Sequence, residues 1–171
     1  MPEFVAVDAI EAIGRELAAA QVRYLVVGGL ALHAYGSDRL TYDIDLVIQL
    51  EPDNLVRAFD ALARATYRPL VPIQAGQFAD PLNRERLIRE KGMIVLNFWS
   101  DRFRETRLDV FVAEPFDFNA EYEHALCDEL VPGIDLRYPQ IDTLIAMKKL
   151  AGRPKDLQDI EFLERYGRTT D

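Results

Sequence analysis

The residues best suited to chemistry gather in one stretch, 26–46, which reads VVGGLALHAYGSDRLTYDIDL. Asp43 and Asp45 stand two apart in a run with strand character, DIDLVIQL. Both carboxylates therefore project from one face, while Ile44 and Leu46 point to the other. Two like charges on a largely apolar strand repel, and burial makes the repulsion worse. A divalent cation relieves both effects, because hard cations take carboxylate oxygens. A bare Asp-x-Asp also occurs on solvent-facing edge strands, but the apolar Leu46-Val47-Ile48 that follows argues for an interior strand. Upstream, Gly28-Gly29 closes the apolar run Arg23–Val27 and opens a short helix over 30–35. Such a turn offers free helix N–H groups and a backbone without Cβ to a phosphate, and serves equally as a purely structural turn. A third carboxylate, Asp109, lies among the apolar residues of RLDVFV, where an acid is disfavoured unless paired or metal-bound. If that strand lies beside 43–50, three carboxylates converge at one sheet end. Such a set suits two Mg²⁺ ions about 3.5–4 Å apart, activating an attacking oxygen and stabilising a leaving pyrophosphate.

The elements that must position these groups are legible in outline. Ile10, Ile13 and Leu17 fall at helical spacing in 8–20. Strands are expected at 23–27 and 43–50, followed by a helix from Glu51-Pro52 with Leu55, Phe59 and Leu62 on one face. The stretch 67–81 reads as loop with a short strand near 70–73, and Asp80-Pro81 starts a helix to about residue 90. A strand pair follows at 93–99 and 106–112, joined by the charged loop 100–105. Two helices, 140–150 and 155–166, close the chain, broken by Gly152-Arg153-Pro154. The order implies an α/β (α+β) fold with a mixed sheet flanked by helices. The expected partition is one domain over 1–171, with a core to about 114 and a helical C-terminal extension over 115–171.

Composition narrows the function classes. The chain has 171 residues, 49% of them apolar and 29% charged, enough for a real core and too hydrophobic for wholesale disorder. With 29 acids against 20 bases the formal charge is −9, which argues against broad electrostatic binding to DNA or RNA. No apolar run reaches the ~18 residues that span a bilayer, so no membrane role is expected. The N-terminal MPEFVAVDAIEAIGRE carries acids where a signal peptide carries bases. The lone Cys127 allows no internal disulfide and fits a cytoplasmic location, as a small core residue or buried thiol. Sixteen of the 20 bases are Arg; of the four Lys, Lys148, Lys149 and Lys155 cluster near the C-terminus.

Gly28-Gly29, thirteen residues, Asp43-Ile44-Asp45-Leu46 and a distal Leu108-Asp109-Val110 together resemble the DNA-polymerase-beta-like nucleotidyltransferase superfamily. The block Arg39–Leu46, with 142–148 and 152–160, is similar to small prokaryotic members. These are the group related to abortive-infection toxin nucleotidyltransferases and the minimal nucleotidyltransferases of toxin–antitoxin pairs. The resemblance spans about residues 22–164. It implies the nucleotidyltransferase fold and Mg²⁺-dependent transfer of a nucleoside monophosphate from a nucleoside triphosphate (NTP) to a hydroxyl. It implies Gly28 and Gly29 as the phosphate-holding motif, Asp43 and Asp45 as the metal pair, and Asp109 as a third metal ligand that helps deprotonate the acceptor. Lys148 matches the basic position on the C-terminal helix. Gly28-Gly29 departs from the commoner Gly-Ser, although the toxin-related group also uses Gly-Gly. The acceptor implied is a partner protein (a HEPN-type toxin or, for a toxin, its cognate antitoxin) or a transfer RNA (tRNA) end. A non-catalytic nucleotide- or partner-binding, antitoxin-like module is the alternative.

Other residues keep two readings at this point. Arg39 serves equally to hold a phosphate or to pair with Asp43 or Asp45. Thr41 orients the Asp pair or caps local backbone. Lys149 and Lys155 contact phosphates or are solvated helix ends. Asp156 and Asp159, at i and i+3 of a helix start, favourably meet the helix dipole.

Overall fold

The computed structural model describes residues 7–169, with side chains through residue 166. The first six residues of the acidic N-terminal stretch lie outside them. The chain runs α1 (Val7–Ala19), β1 (Tyr24–Val27), α2 (Gly28–Ala34), β2 (Asp43–Ile48), α3 (Pro52–Arg64), β3 (Arg68–Pro69), α4 (Ala75–Ala79) and α5 (Pro81–Lys91). It continues through β4 (Val95–Trp99), β5 (Arg107–Phe111), α6 (Phe118–Glu123), β6 (Leu126–Val131), β7 (Ile134–Tyr138), α7 (Ile141–Ala151) and α8 (Pro154–Thr169). Five strands form a mixed sheet in the order β1-β2-β5-β4-β3, and β6 and β7 form a separate hairpin. Only the β2–β5 pairing in the large sheet is parallel. The fold is thus the expected α/β arrangement with a mixed sheet flanked by helices and two C-terminal helices.

Local sequence explains most boundaries. The Glu51 carboxylate accepts from the backbone N–H of Asp53 and Asn54, and Pro52 occupies the first turn of α3. Asp80 caps α5 in the same way through Leu82, and Gly92, in the left-handed region at φ 61°, ends it. Gly152 ends α7 with φ 63° just before Pro154, which starts α8.

Alternation along the strands sorts side chains onto two unlike faces. One face carries Tyr24, Val26, Ile44, Leu46, Ile48, Leu96, Phe98, Leu108 and Val110 into the main core, against Ile10, Ile13 and Leu17 of α1 and Leu55, Phe59 and Leu62 of α3. The other face is covered only at one end, where Leu25, Val27 and Val47 meet Phe118 with Phe111, Phe116, Tyr122 and Met147 around them. The rest of that face carries the carboxylates. Asn54 fixes the two strands that present them. Fully buried, it accepts from Arg23 N–H (2.8 Å) and donates to the Arg23 and Gln49 carbonyls (3.1 and 2.9 Å). It therefore ties the start of β1 to the end of β2.

Three elements depart from expectation. The short strand falls at Arg68–Pro69 and not near 70–73, although Leu70 N–H still donates to the Asn97 carbonyl. The expected loop contains α4, started by a reciprocal Gln74–Gln77 cap and anchored by the buried Phe78. The segment 115–171 is not purely helical: the β6–β7 hairpin turns at Pro132-Gly133, with Gly133 at φ 81°. Cys127 lies exposed on β6, not in the core. Among the described residues no helix is long and apolar enough to cross a membrane.

Replacing Asn54 by Ala takes the partner from the part-buried Arg23 N–H and Gln49 carbonyl, while the Arg23 carbonyl keeps the Gln49 N–H. The expected loss is on the order of 3 kcal/mol in urea unfolding. A loss below about 0.5 kcal/mol would show that the strand tie is dispensable.

Candidate active site

Strand register brings the acids together. Asp45 is the direct partner of Asp109 across the parallel β2–β5 pair, and Asn97 faces Asp109 from β4. On the other side Val27, the residue before Gly28, faces Asp45. One cross-sheet row therefore reads Val27, Asp45, Asp109, Asn97. Asp43, two residues before Asp45, shares that face and opposes Arg107. Asn97 Nδ2 donates to Asp109 Oδ1, which fixes one oxygen of that carboxylate.

The electrostatic result is crowding of like charge in a partly buried place. Burial first, then Asp109 and Asp43, push the Asp45 carboxyl up to about 7, against the opposing pull of Lys148 and Lys155. Asp109 is raised chiefly by burial and further by Asp43, while Asn97 and Arg107 work the other way. These carboxylates are short of positive charge.

Gly28 and Gly29 are required by packing. A Cβ on Gly28 would lie 2.2 Å from Asp45 Oδ2, and its φ of +68° disfavours any L side chain. A Cβ on Gly29 would lie 2.5 Å from Thr41 Oγ1. α2 begins at Gly28 itself, two residues earlier than expected, and no side chain caps it. Thr41 is buried, and its hydroxyl donates to the Asp43 carbonyl at 3.3 Å. It caps local backbone at the entry to β2, the second of the two readings weighed for it.

The C-terminal helices supply the basic side. Lys148 is buried on α7, with Nζ 3.0 Å from Asp159 and 3.5 Å from Asp156 on α8. Arg39 pairs with the same Asp159, so of the partners weighed for it neither Asp43 nor Asp45 is the one it takes. Lys149 and Lys155 are exposed, at the end of α7 and the start of α8. Sequence reasoning missed the two buried acids. Dipole compensation was a sufficient account of Asp156 and Asp159, but their spacing of three also puts both on one helix face, beside a lysine of the preceding helix.

The donor set fits a hard cation. Asp43, Asp45 and Asp109 offer only oxygen, and their mutual repulsion is relieved by added positive charge. Among the described residues no group of three or more His, Cys, Asp or Glu side chains is arranged so that it could hold a metal ion. A cation here would take the rest of its shell from water or a bound ligand.

Solved structures with this fold are informative. The chain matches an antigenic nucleotidyltransferase-like protein from Paracoccidioides brasiliensis at 17% identity and TM-score 0.52, over 91% of this chain and 74% of that one. It matches the antibiotic-resistance factor ANT(2'')-Ia at 14% identity and TM-score 0.58, over 95% and 83%. It matches the lincosamide antibiotic adenylyltransferase LnuA, solved with lincomycin, at 12% identity and TM-score 0.57, over 94% and 97%. No family model matches the chain, and no curated protein matches it in sequence. At these identities the likeness establishes a nucleotidyltransferase fold.

Two predictions follow from this geometry. Gly28→Ala should lower the melting temperature and disturb Asp45, whereas Gly36→Ala, which meets no neighbour, should show only backbone strain; equal losses would remove the Gly28–Asp45 contact as the cause. The second concerns pH. A carboxyl raised from 3.8 to about 7 holds its proton in the folded state after the unfolded chain has released it. Stability of the metal-free protein should therefore fall as pH rises through that window, and Asp45→Asn should flatten the decline. Denaturant titrations of both proteins across the window test this, and an unchanged slope in the variant would refute it.

Proposed function

We propose that the protein transfers a nucleoside monophosphate from an NTP to an acceptor hydroxyl, releasing pyrophosphate. The observation that carries this reading is the carboxylate row Asp43, Asp45 and Asp109, bordered by Gly28-Gly29 and by Lys148. The fold supports it, and an adenylyltransferase is among the proteins that share the fold.

In this reading Asp43, Asp45 and Asp109 hold Mg²⁺, two ions when fully loaded. Bound there, Mg²⁺ supplies neutralisation of the triphosphate and polarisation of the phosphorus under attack. Gly28 and Gly29 let Asp45 and Thr41 pack directly against the backbone at the start of α2, and in this reading that backbone meets phosphate oxygens. Lys148 and Arg39 stabilise charge that grows on the leaving pyrophosphate, and the exposed Lys149 serves at most its outer end. Asp109, with one oxygen held by Asn97, accepts the proton of the acceptor hydroxyl through the other. The acceptor oxygen bonds to the α-phosphorus as the bond to pyrophosphate breaks. Positioning does most of the catalysis.

The acceptor we favour is an RNA end, such as that of tRNA. Trp99 is exposed on β4 opposite Arg68, one position past the Phe98–Leu108 pair and on the sheet face of Asp109 and Arg107. A base can stack on such a ring while its phosphate meets an arginine. A partner protein in a toxin–antitoxin pair, in the cytoplasm, is the other acceptor the sequence resemblance offers.

Incubation with each α-labelled NTP, Mg²⁺ and either tRNA or total protein should release pyrophosphate and label one of them. Asp43→Ala and Asp109→Ala should each reduce release by at least about a hundredfold while remaining folded. Turnover retained in either variant sinks the assignment. Mg²⁺ alone should raise the melting temperature near neutral pH, and no longer do so in Asp45→Asn.

A further inference from the structure

Five charged side chains join α7, α8 and the segment before β2: Arg39, Lys148, Arg153, Asp156 and Asp159. The two acids are 0% and 3% exposed, whereas the side chains of Arg39, Lys148 and Arg153 are 31%, 11% and 56% exposed. The acids stand behind and the bases in front. Met147, the residue before Lys148, packs against Val27 and Val47 on the sheet face of the carboxylates, and Val27 is the strand partner of Asp45, so the front of the cluster lies toward the carboxylate row; Lys148 and Arg153 both act electrostatically on Asp45. A buried ionic cluster gives little net stability over apolar side chains of similar volume, so folding alone does not account for it.

The two acids have different work. Asp156 accepts from Arg153 backbone N–H and Nε, both at 2.9 Å, which closes the first turn of α8. Its contact with Lys148 is the longer one, at 3.5 Å. Asp159 lies one turn further on, and its Oδ2 takes both Lys148 Nζ, at 3.0 Å, and the Arg39 guanidinium. Arg39 and Lys148 come from different elements and repel each other. A carboxylate between them cancels that repulsion and fixes where each charge points.

We infer that Asp159 is a positioning residue that yokes Arg39 and Lys148 into a dibasic receptor for a polyphosphate chain lying over the carboxylate row. The inference rests on the proposed nucleotidyl transfer and adds that triphosphate binding depends on α8. It also fixes the sign of an effect. If Asp159 were only a nearby negative charge, removing it would tighten anion binding. If it positions the two bases, removing it weakens binding.

Calorimetric titration with inorganic tripolyphosphate, paired with thermal melting, separates these cases. Asp159→Asn should weaken binding about tenfold or more, while Asp156→Asn should chiefly lower the melting temperature and change affinity less than about threefold. Unchanged or tighter binding in folded Asp159→Asn overturns the inference, as does an equal loss in both variants that tracks their melting temperatures. Should Asp159→Asn not fold, Arg39→Lys keeps the charge but loses the planar fork. It too should weaken binding about tenfold, and unchanged affinity overturns the inference. Failure of wild-type protein to bind tripolyphosphate also overturns it. Binding without pyrophosphate release from any NTP removes the transfer reading and leaves the receptor standing.

Discussion

Everything around the candidate site answers one constraint: Asp45 and Asp109 sit side by side on adjacent parallel strands, with Asp43 on the same face. Carboxylates so placed repel, and partial burial removes much of the water that would screen them. Each neighbour meets part of that strain. Gly28 gives up its side chain so that the Asp45 oxygen has space, Asn97 donates to Asp109, and Lys148 and Lys155 lend opposing charge from the C-terminal helices. What repulsion remains is relieved by a proton on Asp45, whose carboxyl is pushed up to about 7, or, in the proposed reading, by a bound cation.

The sheet divides its labour by face. The buried face is uniformly apolar and would serve any α/β fold. The opposite face grades from an apolar end under Phe118, through the acid row, to Arg107, Trp99 and Arg68 at the open end. Because alternation fixes the face of each side chain, a slip of β2 by one residue against β5 would bury Asp43 and Asp45 and expose Ile44. The main core and the site are thus held by the same register.

Much of this is legible in the sequence. Asp43 and Asp45 announced themselves by a spacing of two within an apolar run, and Asp109 by being an acid where strands exclude acids. What stayed hidden depended on partners distant in sequence. Arg39 takes no single reading from local sequence, because its partner Asp159 lies 120 residues away on α8. Asp156 and Asp159 looked like ordinary first-turn acids, since burial by packing between helices leaves no mark in local pattern. The β6–β7 hairpin went unread because its first strand is mostly exposed and lacks apolar alternation, although Pro132-Gly133 was an available turn signal. Cysteine's usual preference for the interior predicts a buried Cys127; on that outer strand it is exposed.

The parallel seam between β2 and β5 has a further consequence for synthesis. β1 and β2 pair locally, as do β4 and β5, but the acid row exists only where those two halves join. A nascent chain that has not yet emerged past β5 carries Asp43 and Asp45 without their counterpart, and one that lacks α8 has Arg39 and Lys148 without their tether. The ribosome therefore delivers the two halves of the charge pattern at different times, and a product that stops before β5 lacks both the partner of Asp45 and the central strand of the sheet.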